Sequence, residues 1–67
     1  MRLIKLTEIY RTDEFMDRYL NVDEIESFRK EKTDNYTMLS TKSNRRVLEF
    51  KETPEEIIEL IKQAEEI

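Results

Sequence analysis

The chain contains no glycine, no cysteine and no histidine. Without glycine it has no phosphate-cradling loop, because such loops need backbone that approaches a ligand closely at positive φ. Without histidine it lacks both the usual general base near neutral pH and the commonest metal ligand. Without cysteine there is no thiol nucleophile, no disulfide and no thiolate metal site. There is also no apolar run of about 18 residues, so no membrane-spanning helix is expected. The opening Met1-Arg2-Leu3-Ile4-Lys5 has no apolar stretch of the secretory type. These absences argue against an enzyme and for a cytoplasmic module that works by contact.

What is present is small and highly charged. Sixty-seven residues, 37% hydrophobic and 42% charged, make one domain with a thin core. A chain of this size buries only about 60% of the surface its unfolded form exposes. It either packs a sheet against a helix economically or completes its core in an oligomer. The net charge of −4 is unevenly placed. Residues 1–48 carry ten basic and nine acidic side chains, net +1, whereas residues 49–67 carry seven Glu against Lys51 and Lys62, net −5. An acidic C-terminal segment repels phosphate backbones and favours a basic partner. It also serves simply as a solvated surface.

The last segment is the clearest. Thr53-Pro54-Glu55-Glu56 is a capping box with proline at the first helical position. Ile57, Ile58, Leu60, Ile61, Ala64 and Ile67 then recur at helical spacing, with Glu55, Glu59, Lys62 and Glu66 opposite. The pattern predicts a helix over 53–67 on a sheet formed by 1–52. In Arg46-Val47-Leu48-Glu49-Phe50-Lys51, Leu48 and Phe50 share one side while Val47, Glu49 and Lys51 share the other. Strands are also expected over 36–41, 24–30 and 3–10. Lys42-Ser43-Asn44-Arg45 is the hairpin turn, with Asn44 in the left-handed position that glycine would otherwise take. The polar stretch 11–18 fits a loop, a helical turn or a strand extension equally well. The resulting fold class is α+β: a three- to four-stranded antiparallel meander with one C-terminal amphipathic helix on one face. Phe28 and Phe50 are expected in the core, and Tyr10, Tyr19 and Tyr36 on the sheet surface.

No constellation carries catalysis. The densest acidic clusters, Asp13/Glu14/Asp17 and Asp23/Glu24/Glu26, lack the alternating ligands and central glycine of a calcium loop. The serines and threonines have no histidine to activate them. No cofactor or metal is expected. Lys42, Arg45 and Arg46 form a basic hairpin tip, and Arg29-Lys30-Glu31-Lys32 ends the preceding strand. These residues could touch nucleic acid, but charge at turn tips and edges more often prevents unwanted pairing.

The order of several short segments resembles a known family. Ile4-Lys5-Leu6-Thr7, the central Tyr19-Leu20-Asn21-Val22-Asp23-Glu24-Ile25-Glu26, Thr37-Met38-Leu39-Ser40-Thr41, Arg45-Arg46-Val47 and Lys51-Glu52-Thr53-Pro54-Glu55-Glu56-Ile57-Ile58 are similar to motifs of the FlbD/SwrD family of small flagellar proteins. The resemblance implies a non-catalytic accessory protein associated with motility.

The function expected is therefore a small non-enzymatic protein-interaction module of bacterial or phage type, acting through a protein partner or a homodimer. The alternative is a flagellar accessory protein, and a third possibility is a nucleic-acid binder using the basic hairpin. Tyr36, Met38 and Val47 are the interface candidates on the open sheet face, and Glu55, Glu59 and Glu66 those on an acidic helical strip.

Overall fold

A computed structural model describes residues 1–32, 35–43 and 46–66. Among these residues are five strands and one α-helix: β1 (Leu3–Arg11), β2 (Glu14–Asn21), β3 (Ile25–Lys30), β4 (Thr37–Thr41), β5 (Val47–Phe50) and α1 (Pro54–Gln63). The α+β class is as the sequence implies, but the strand count is five rather than three or four. The extra strand is β2, which includes most of the segment left open at 11–18. Every residue from Arg11 to Tyr19 is exposed. Neither face of that stretch is buried, so it carries no apolar alternation to reveal it.

The sheet is not one continuous meander either. Its strand order is β2-β1-β5-β4-β3, with all neighbours antiparallel. β3, β4 and β5 do form a meander, whereas β1 and β2 form a separate hairpin. The two parts join where Glu8 faces Phe50 and Lys51 N–H donates to Thr7 O at 2.9 Å. β2 and β3 are thus opposite edges, yet only the 3₁₀ turn Val22–Glu24 connects them. Those few residues span at most about 14 Å, whereas the edges of a flat sheet of this width lie about 19 Å apart. The sheet is therefore rolled. Leu20 and Asn21 of β2 consequently share a cleft with Thr41 and Leu48, and Lys42 N–H donates to Glu24 O at 2.9 Å.

The roll encloses the core. Ile4, Leu6, Leu20, Leu39, Phe50 and Ile57 are buried, with Val22, Ile25, Phe28, Leu48, Leu60, Ile61 and Ala64 packed around them. Ile57 brings the helix onto the inner face of the sheet. Both halves of the capping box are present: Glu56 N–H donates to Thr53 Oγ1 at 3.1 Å, and Thr53 N–H to Glu56 Oε1 at 3.0 Å. A cap of this kind contributes about 1 kcal/mol. Glu52, just ahead, ties the helix entry to two strands. Its carboxylate accepts from Thr7 N–H at 2.8 Å, and its carbonyl accepts from Thr37 Oγ1 at 2.6 Å.

The helix ends at Gln63, earlier than its apolar spacing implies. Glu66 instead bridges Arg2 at the start of the sheet, and its carboxylate accepts from the Met1 amine. Glu24 belongs to the 3₁₀ turn rather than to β3, and Tyr36 immediately precedes β4. Asn44, expected in a left-handed conformation, lies outside the described residues. So do Arg45 of the basic tip, Thr33 and Asp34 of the preceding connection, and Ile67.

Candidate functional site: the outer face of the sheet

The pairing register fixes which side chains share the outer face. Opposite residues in an antiparallel pair point the same way. Phe15 faces Ile9, Met38 faces both Glu49 and Arg29, and the β1–β5 register aligns Ile9 with Glu49. Phe15, Ile9, Glu49, Met38 and Arg29 thus make one row across all five strands. A second row sets Val47 beside Ser40 and Ser40 beside Ser27, and the two serine hydroxyls lie 3.0 Å apart. Between these rows lies a shallow groove of about 290 Å³, lined by Arg29, Met38, Ser40 and Val47 among others. No helix covers this face among the described residues, since α1 packs inside.

Two of the interface candidates are therefore neighbours. Met38 is half-buried and Val47 is 55% exposed, on adjacent strands. Tyr36 is half-buried and lines a smaller niche of about 100 Å³ with Lys30, Thr53 and Pro54, toward the helix N-terminus. The face also includes Tyr19, which the sequence places on the sheet surface, and Phe15, which it does not. Phe15 is 49% exposed and Tyr19 65% exposed, both on the outer side of β2. Lys51 Nζ lies 4.6 Å from the Phe15 ring centroid, which binds the two halves of the face together through a cation–π contact. The signal for these residues was period two: once 14–21 is a strand, Phe15, Asp17 and Tyr19 fall on one side.

The acidic strip is less continuous than helical spacing suggested. Glu55 and Glu59 are exposed on α1, and Glu59 accepts from Gln63 Nε2 at 3.1 Å. Glu66 lies beyond the helix and is paired with the N-terminal amine. Of the other carboxylates, Asp17 pairs with Lys5 at 3.8 Å. Among the described residues no three acidic side chains are grouped so as to hold a metal. Among the described residues no helix is long and apolar enough to cross a membrane. The Tyr10 hydroxyl is held above its ordinary pKa, chiefly by its hydrogen bond with Glu14 and secondarily by desolvation.

One ionic contact lies on the inner face. Glu8 follows Ile4 and Leu6 in the inward phase of β1 and is almost wholly buried; Arg18 Nε of β2 donates to its carboxylate. The period-two phase of Ile4 and Leu6 carries Glu8 to the inner side, but its charge makes it look like surface, and nothing in the sequence marks Arg18 as its partner. Comparison with protein-family models, with curated proteins and with solved structures finds no match.

Proposed function

We propose that this chain is a small non-enzymatic protein-interaction module whose contact surface is the outer face of its rolled sheet. One observation carries this reading: Phe15 with Ile9 and Met38 with Val47 make two apolar groups on the outer face, on either side of Glu49, with no described element of the fold above them. Exposed apolar groups set among charges are a usual mark of a protein-binding site on a small domain. Here Arg29 and Asp17 lie on the edge strands, and Glu49 and Lys51 lie on β5 between the two groups. The aromatic and methionine side chains in these groups are types that supply binding energy at interfaces.

The test is a pair of lysine substitutions, Val47→Lys and Glu59→Lys, read by the apparent mass of the native protein in extract of its source cells. Both positions are exposed, so both variants keep the wild-type urea midpoint. Val47→Lys is expected to shift the protein to the mass of the unbound form, and Glu59→Lys to leave the complex unchanged. A complex that survives Val47→Lys but not Glu59→Lys would assign binding to the acidic helix instead.

A further inference from the structure

The two edges of the sheet are not equivalent. β3 carries Glu26, Arg29 and Lys30 and has a register shift between Ile25 and Ser27, both features that deter pairing with another strand. β2 has eight residues, and its charges are already engaged inside its own hairpin: Asp17 with Lys5, and Arg18 with Glu8. Glu14, the remaining charge of β2, is hydrogen-bonded to Tyr10, and the edge otherwise presents exposed Phe15, Met16 and Tyr19.

The hydrogen-bond phase of this edge follows from the ladder. Val22 N–H donates to Arg2 O at 2.9 Å, continuing the register in which Leu3 faces Asn21. Antiparallel ladders alternate, so Leu20, Arg18 and Met16 direct their backbone groups toward β1. The bond from Lys51 N–H to Thr7 O agrees, since it gives the odd-numbered residues of β1 to β5. On β2 the odd-numbered Phe15, Asp17 and Tyr19 therefore direct N–H and C=O to the open edge.

We propose that two copies of this chain pair antiparallel along β2, with the two-fold axis at Asp17. The proposal rests on the reading of the chain as a contact module but uses an edge rather than the face. The strand is self-complementary in this register. Phe15 of each copy falls opposite Tyr19 of the other on the outer side, giving two aromatic cross-strand pairs. The Asp17 carboxylates that meet at the axis each bring their own Lys5. The three outward-facing residues, and no others in the exposed run, supply the backbone bonds. A two-fold register centred on Arg18 would instead draw in Asn21, which is half-buried and caps the 3₁₀ turn. The result is one sheet running through both molecules, with a single continuous outer face.

Asp17→Pro tests this directly. Proline removes an N–H that points to the open edge, where the strand tolerates it, and leaves the bonds to β1 intact. By symmetry two intermolecular bonds are lost, so the dimer dissociation constant in sedimentation is expected to rise about thirtyfold. The circular dichroism spectrum should stay that of the wild type. Amide hydrogen exchange on the wild-type protein provides a second readout that needs no substitution. Phe15, Asp17 and Tyr19 amides should gain protection as protein concentration rises, while those of Met16 and Arg18 are protected at every concentration. A wild-type protein that stays monomeric, a dimer indifferent to Asp17→Pro, or odd-numbered amides that never gain protection would each overturn the proposal. A dimer lost on Val47→Lys and kept on Asp17→Pro would overturn it too, while leaving the outer face as the contact surface.

Discussion

Phe50→Ala is expected to leave the chain largely unfolded at room temperature. Phe50 is 0% exposed and sits where the two parts of the sheet meet, facing Glu8 on β1 and Thr37 on β4. Truncating a fully buried Phe costs about 3–5 kcal/mol, because the lost transfer energy is joined by the cost of a cavity. A domain of this length has roughly 3–10 kcal/mol of stability in total. The site is also poorly able to collapse, since the β1–β5 junction is short and Phe50 lies between the hairpin and the meander. Loss of the far-ultraviolet circular dichroism signal, or a urea transition beginning near zero denaturant, is the expected reading. A midpoint equal to that of the wild type would show that the two parts of the sheet are not held together there.

The second large effect concerns the ion pair inside the roll. Arg18→Leu removes the donor to the Glu8 carboxylate and leaves that carboxylate buried without its partner. A buried acceptor deprived of its donor costs about 1–3 kcal/mol. Fully buried ion pairs lose more when halved, but the Arg18 side chain is 42% exposed and water can follow it in. The expected loss is about 2 kcal/mol, or roughly 10 °C in Tm for a domain of this size. The double change Glu8→Leu with Arg18→Leu should recover most of it, because apolar replacement of both partners is close to neutral. A double variant no more stable than Arg18→Leu would mean that the arginine acts through packing rather than charge.

The sequence-legible parts of this fold are those with one buried face. β5 shows Leu48 and Phe50 against Val47 and Glu49 because one side of it meets the core and the other does not. The helix is legible from its cap and from Ile57, Leu60 and Ile61. Its early end is not, because Ala64 keeps the apolar spacing although the chain turns there to bring Glu66 back to Arg2. β2 was hidden for the opposite reason: exposed on both sides, it has no pattern to read. The β1–β5 pairing was hidden because neighbours far apart in sequence leave no local signal. Of the outer face, Met38 and Val47 were legible from alternation, while Phe15 entered only once β2 was a strand. The Glu8–Arg18 contact depends on that same strand and on the phase of β1, so it too required the three-dimensional register.

A photo-crosslinking amino acid placed at position 47, compared with the same group at position 59, asks most directly whether the outer face is where this protein meets others. Both positions are exposed, on β5 and on α1 respectively, and neither contributes to the buried core. Illumination in cells of the source is expected to give a discrete protein adduct from position 47 and none from position 59. A discrete adduct from position 59 with none from position 47 would contradict the account and move the contact surface to the acidic helix.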